Sequence, residues 1–498
     1  MHLIWKVCAV RDIPTVRWCR RIGVDMVGIH AIDRVAPEDV RLFDHLRTHG
    51  GDPCPVLVTK TTSTEDLVRL VSETRTEWLQ IHAPVEPEVL AATCTLLQER
   101  LGTSPNLILV LAADDPQLML RAKGLAEVAK PGSLFLLDTS WRGGTGRAVV
   151  PELVRRVMSE LPRDRFLLAG GLNPENVAAA VKDFRPAGVD VQSGVELGGL
   201  GHRKDPFLLM RFACSLGRHP TALPASRKAI SLALTDLAAV ECTRLLGRFQ
   251  ADFPDSAHLD YSDGSAARVM GSNNLELLRT LRGHVPCLPY DVHLFGDALG
   301  VWHRLLDGYV SANPLLESVF VHCGSSGDMG SKRLGTLRAA LQGTPVRLGL
   351  AIHSPSFERA TLSESLHKAD LTGVDEILVV THSRAHAVDE AAPHDAGTLA
   401  AVREFAAHAP SPVRVGLDRD ITLAKLRALR STDLDYVVVG RALREAEDPE
   451  AALLDMRREL DGAVETGSRT RGAPFFPESR SKTQPYTRGD SCCNEVSS

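Results

Sequence analysis

The sequence predicts an α/β protein of two tandem (β/α)8 barrels, TIM barrels, followed by a disordered C-terminal tail. Two observations carry this. Short apolar runs alternate with amphipathic segments along most of the chain. The runs fall into two sets of eight, separated by one lapse in the pattern, and that number argues for closed parallel barrels over an open sheet.

The first set of strands is Leu3–Val7, Met26–Ile29, Pro55–Val58, Trp78–Ile81, Leu107–Val110, Leu134–Leu137, Phe166–Ala169 and Gly188–Val191. Helical segments lie between them. Pro37–Leu46 and Pro174–Phe184 each begin on a proline, which suits a first helical turn because its missing N–H has no intrahelical partner there. Around Arg218–Arg227 the periodicity lapses into prolines and small polar residues, which reads as a linker between a barrel over 1–217 and a second over 228–463. The second set is Ala229–Ala233, Ala257–Asp260, Leu288–His293, Val319–His322, Val346–Ile352, Glu376–Thr381, Val413–Asp418 and Asp435–Gly440. Residues 464–498 are polar and rich in Gly, Pro, Ser, Arg and Thr, the composition of a disordered tail.

Composition narrows the function classes. The chain has 498 residues, 44% hydrophobic and 24% charged, ordinary for a soluble globular protein. A net charge of −5 and 5% aromatic residues give no basic stripe or stacking platform for nucleic acid. No apolar run reaches the roughly 18 residues of a membrane span. The start, MHLIWKVC, reads as a first strand and not as a secretion signal. Ten cysteines are scattered without CxxC spacing, so the expected setting is the reducing cytoplasm.

The chemistry concentrates where strands end. Leu134–Gly146 runs LFLLDTSWRGGTG: a buried strand closes on Asp138 and opens into a glycine loop. Cys8 follows the first strand. In a parallel barrel both stand at the C-terminal rim, where barrel chemistry sits. A free cysteine is most often a small buried hydrophobe, and a strand-end aspartate is often a cap. Together, a thiol and a carboxyl can divide acid–base work when their surroundings bring their pKa values toward neutrality. Gly170-Gly171 and Ser193-Gly194 end the seventh and eighth strands, where barrels commonly bind phosphate through backbone N–H groups.

These stretches resemble phosphoribosylanthranilate isomerase. Lys6-Val7-Cys8 is similar to the family's first-strand motif. LLD with the loop containing Gly144 and Gly146 looks like its sixth, LAGGLNPENV (Leu168–Val177) its seventh, and VDVQSGVE (Val189–Glu196) its eighth, with Lys204-Asp205 after it. The resemblance implies an Amadori rearrangement of an N-(5-phosphoribosyl) aromatic amine, with Cys8 as base, Asp138 as acid, a phosphorylated sugar as substrate and no cofactor. Gln80 and His82 stand where the family has QLHG. Two departures lie near the aromatic end: Ala9 replaces a glycine, and Asp33 takes the position of a carboxylate-binding arginine, with Arg34 beside it. They tilt the expectation toward specialised metabolism. A homodimer is left open.

In the second half, His258 and Asp260 are spaced i, i+2 and so share a strand face. With His293 and Asp418 at other strand ends they make a ligand set for zinc, manganese or iron. HLDYSDG (His258–Gly264), YDVHLFG (Tyr290–Gly296), Val321-His322, LGLAIHSPS (Leu348–Ser356) and ILVVT (Ile377–Thr381) resemble ribulose-phosphate 3-epimerase. That resemblance implies metal binding by these four residues and proton transfer by Asp260 and Asp418. The family's phosphate-loop glycines are absent, and Arg384, Arg419 and Arg441 stand near their places as candidate anion ligands. The alternative is that only the first barrel is catalytic and the second binds a ligand or acts as a scaffold.

Overall fold

A computed structural model shows two closed eight-stranded parallel barrels in sequence. It describes most of residues 2–461, except for short loop stretches in the first half and residues 219–227, 235–236, 251, 263–274, 296–314, 323–330, 354–370 (Leu366 aside), 382–387, 409–411 and 429–433. The tail and nearly all of the proposed linker lie outside the described residues.

The first barrel contains β1 (Ile4–Val7), β2 (Met26–His30), β3 (Cys54–Thr59), β4 (Trp78–Ile81), β5 (Asn106–Ala112), β6 (Leu134–Asp138), β7 (Phe166–Leu168) and β8 (Gly188–Val191), and closes by pairing β1 with β8. The second contains β9 (Ala229–Ala233), β10 (Ser256–Ser262), β11 (Tyr290–Phe295), β12 (Leu316–His322), β13 (Arg347–His353), β14 (Glu376–Val380), β15 (Arg414–Asp418) and β16 (Tyr436–Val439), closed by β16 against β9. All sixteen expected strands are present, with ends shifted by a few residues. One helix begins later than expected. Val177–Phe184 is helical, while Asn173 and Asn176 fold Pro174 into a turn: Asn173 Oδ1 accepts from the N–H groups of Glu175 and Asn176. Side-chain acceptors of this kind compete with the helix for the backbone.

Strand alternation divides the core. Val7, Ile29, Leu57, Leu79 and Leu109 point outward to the helices, whereas Cys8, Met26, Val56, Val58, Ile108 and Leu136 fill the barrel interior. The second interior is built around Phe320, Ala351, Leu378 and Tyr436. The last helix of the first barrel, Pro206–Ser215, starts on Asp205, whose Oδ1 accepts from Phe207 N and Leu208 N. Arg218 then anchors the chain back onto the barrel through Asp25 Oδ2 at 2.8 Å and the Trp5 ring.

The barrels meet through polar contacts. Arg17 donates to Asp252 Oδ1 at 2.8 Å and to Phe253 O at 2.7 Å, and Arg21 donates to Glu317 Oε1 at 2.6 Å. Asp252 and Asp255 also bind Arg457, which burial opposes but the two carboxylates hold firmly charged. The Arg282 guanidinium covers the Phe207 ring at 4.8 Å.

Candidate active sites

In the first barrel, alternation sends Lys6 and Cys8 inward from one strand and Asp190 inward from its neighbour, in register with Lys6. Lys6 is fully buried and donates to Asp190 Oδ1 at 2.8 Å. A buried ammonium needs such a partner. Burial alone would lower the Lys6 pKa; Asp190 outweighs it, and the pKa is raised. Cys8 is buried, which pushes its thiol up, while Lys6 beside it pulls the other way. Its Sγ lies 3.3 Å from His30 Nε2 at the end of β2. Gly28 leaves the space: a Cβ there would stand 2.9 Å from Cys8 Sγ and 3.1 Å from Lys6 Nζ. Ala9 follows at φ +57°, the left-handed conformation that favours glycine.

Asp138 ends β6, buried, with Oδ1 accepting from Thr139 N at 2.6 Å and Oδ2 lying 3.9 Å from His82 Nε2. Burial raises the Asp138 pKa against the opposing pull of His82, and burial lowers that of His82. Burial thus shifts both groups in the direction of their neutral forms, the direction a carboxyl needs to serve as a general acid.

Cys8 and Asp138 line one cavity of about 450 Å³. Of the other expected site residues, Gln80, His82, Gly146, Gly170, Gly171 and Ser193 line it too. Gly170 and Gly171 have φ of +83° and +62°, and a Cβ at Gly194 would lie 1.9 Å from Leu172 O. Arg34 is exposed and outside the lining, and Gly144 and Asp33 are not among the described residues. The lining adds groups the sequence reading missed: His30, Lys60, Arg142, Asp190, Gln192 and His202. Asp190 and Gln192 were legible in principle from alternation along VDVQ. Lys60, Arg142 and His202 sit on loops, whose course no periodicity gives.

In the second barrel, His258, His293 and Asp418 present ligand atoms within 4.8 Å of one another. Asp260 Oδ1 lies 3.3 Å from His258 Nε2 and 3.5 Å from His293 Nδ1. The other nitrogen of His258, Nδ1, is hydrogen-bonded to Asp291 Oδ1, and Asp291 Oδ2 accepts from Ser231 Oγ at 3.0 Å. Such a carboxylate fixes which imidazole nitrogen faces a metal. The sequence reading missed Asp291, although it shares a strand face with His293. Burial opposes the charged form of His258, but Asp291 and Asp260 raise its pKa well above the ordinary value. Asp260 is pulled below the usual carboxylate range: burial would raise it, and hydrogen bonds from the two histidines outweigh that. Asp418 is raised by burial.

The three arginines do not act alike. Arg419 Nη1 reaches His353 Nε2 at 3.3 Å, Arg441 is half-exposed and paired with Asp420, and Arg384 lies outside the described residues. Arg419 and Asp420 keep φ of +75° and +51° without glycine.

Fold and sites define a (β/α)8-barrel protein with an acid–base cavity at the strand ends of its first barrel and a histidine–carboxylate cluster in its second. The family described as N-(5'phosphoribosyl)anthranilate (PRA) isomerase matches residues 6–212. The N-(5'-phosphoribosyl)anthranilate isomerase of Moorella thermoacetica is 31% identical over 251 residues, covering 49% of this chain and 98% of the relative. That of Thermococcus kodakarensis is 29% identical over 214 residues, covering 42% and 94%. Among solved structures, phosphoribosyl anthranilate isomerase from Thermotoga maritima is similar at 24% identity and a TM-score of 0.35, covering 43% of this chain and 99% of that one. Through its first barrel, the chain belongs to the phosphoribosylanthranilate isomerase family.

Proposed function

We propose that the first barrel catalyses the Amadori-type isomerisation of an N-(5-phosphoribosyl) aromatic amine such as phosphoribosylanthranilate. The observation that carries this is the placement of Cys8 and Asp138 in one cavity, with burial raising the Asp138 pKa. Asp138, protonated, gives its proton to the ring oxygen and opens the sugar. Cys8 takes the C2 proton of the resulting imine, and the C–H electrons move toward the nitrogen. Glycines 170, 171 and 194 let backbone N–H groups approach the phosphate, which needs such donors more than a charged cage. Lys60 and Arg142 offer the aromatic acid a cationic edge in place of the exposed Arg34. The test is conversion of phosphoribosylanthranilate by the full chain, followed by mass spectrometry and proton NMR of the product. An aminodeoxyketose product supports the reading; unchanged substrate under conditions where the protein is folded refutes it.

A second reading concerns the second barrel, and the orientation of His258 by Asp291 favours it. His258, Asp260, His293 and Asp418 would hold a divalent ion, zinc, manganese or iron, which would supply electrophilic stabilisation of an enediolate. Asp260 and Asp418 would move protons in an epimerase-like reaction on an anionic sugar, with Arg419 near the anion. A specialised pathway using both barrels in succession fits these altered loops. Elemental analysis of the full chain prepared without chelator tests it: about one divalent ion per chain is expected, and none would reject the reading and leave the second barrel as a ligand-binding or scaffolding module.

A further inference from the structure

The mechanism above leaves the resting proton of Cys8 without a destination. A thiol is a poor base, and the thiolate is the reactive form. We propose that His30 is the proton partner of Cys8: it accepts the S–H hydrogen bond at rest and takes that proton as the thiolate forms over bound substrate. The inference rests on the isomerase reading of the same cavity.

Geometry carries it. His30 Nε2 is 3.3 Å from Cys8 Sγ, and both residues line the cavity. Gly28, two residues before His30 on β2, is the gap through which the thiol faces the barrel interior. Behind His30 stands His202, edge-on at 6.2 Å between ring centroids. His202 Nδ1 lies 3.1 Å from Glu196 Oε1, which also accepts from Lys204 Nζ at 2.9 Å. His202 is therefore tied to Glu196, and His30 turns its Nε2 to the thiol.

Burial favours the neutral forms of both partners at rest, and the nearby charges act on them differently. Lys6 and Asp190 face it from β1 and β8, and Lys204, His202 and Arg11 from the adjoining loops. Burial first, then Lys6, His202, Lys204 and Arg11, lower the His30 pKa, so its Nε2 accepts at rest. Moving the proton from Sγ to Nε2 breaks S–H and forms N–H without changing the net charge of the pair. Lys6, which disfavours a lone imidazolium, favours the thiolate formed in the same step. The thiolate then removes the C2 proton and becomes the thiol again. The new thiol then protonates C1 of the enolamine while the 2-hydroxyl proton passes to the Asp138 carboxylate and the ketone forms. His30 returns its proton to the thiolate, which restores the neutral hydrogen-bonded pair. His30 acts through Cys8 and is a positioning and proton-holding residue.

Two variants of the full chain separate this from mere packing. His30→Gln keeps a polar acceptor of similar reach but cannot take a proton; His30→Phe keeps an aromatic ring. Two readouts are compared: kcat and KM with phosphoribosylanthranilate, and the pH profile of iodoacetamide alkylation at Cys8, followed by peptide mass spectrometry. Both variants are expected to lose about tenfold or more in kcat with KM nearly unchanged, and to alkylate Cys8 about tenfold more slowly at neutral pH. A His30→Gln protein with wild-type kcat and a wild-type alkylation profile would overturn the proposal, since packing alone would then explain His30. Absence of turnover in the wild-type chain would refute the isomerase reading, while the alkylation profile would still decide the Cys8–His30 pair.

Discussion

At the scale of single residues, the departures from the family pattern have physical consequences. Ala9 occupies φ +57°, where a Cβ crowds the following carbonyl at a cost of about 1–2 kcal/mol. Ala9→Gly is therefore expected to stabilise the chain by about 1 kcal/mol, less than the full strain because glycine loses more backbone entropy on folding. Denaturant unfolding checks this, and an unchanged or lower midpoint would mean that Ala9 is not strained. His30 makes a second residue-scale statement. Burial first, then Lys6, His202, Lys204 and Arg11, lower its pKa from 6.5 to about 3. The unfolded chain binds the extra proton between these values, so this contribution to stability is intact above 6.5 and is lost as pH falls toward 3. His30→Phe is expected to flatten the acid limb of the stability–pH curve; an unaltered slope would contradict the depressed pKa.

At the scale of elements, Gly194 carries the tightest approach in the loop after β8. A Cβ there would lie 1.9 Å from Leu172 O and 2.9 Å from Leu172 C. Gly194→Ala must push the two loops apart, so a loss of about 2 kcal/mol or more in stability and a raised KM for the phosphorylated substrate are expected. Circular-dichroism melting and steady-state kinetics check the two parts. Strands were the most legible elements. Runs such as Leu134–Leu137 are apolar on both faces, because one face meets helices and the other the barrel interior, and each ends where a polar residue reaches the rim. Cys8, Asp138, His258, Asp260, His293 and Asp418 were legible for the same reason. Lys60, Arg142 and His202 were not, since a loop can bring any of its residues to the cavity. Asp291 was hidden differently. It lies two residues before His293, and only the pairing of β10 with β11 sets it opposite His258.

At the scale of the whole molecule, the two barrels share a polar seam. Asp252 is 4% exposed and held between Arg17 and Arg457. Arg17→Ala leaves that carboxylate one donor short in a buried place, so a loss of about 1–3 kcal/mol is expected. Differential scanning calorimetry should then show the two barrels melting less cooperatively; a thermogram identical to wild type would mean that the seam adds nothing to stability. The seam leaves both barrel mouths to their own chemistry, and the central claim concerns the first. Its most direct test is kcat/KM for phosphoribosylanthranilate in the full chain and in the variants Cys8→Ser and Asp138→Asn. Each variant should fold as wild type, because neither changes core volume, and each should lose about 10²-fold or more, the usual worth of a positioned acid or base. Near-wild-type turnover in either folded variant would contradict the assignment of acid and base.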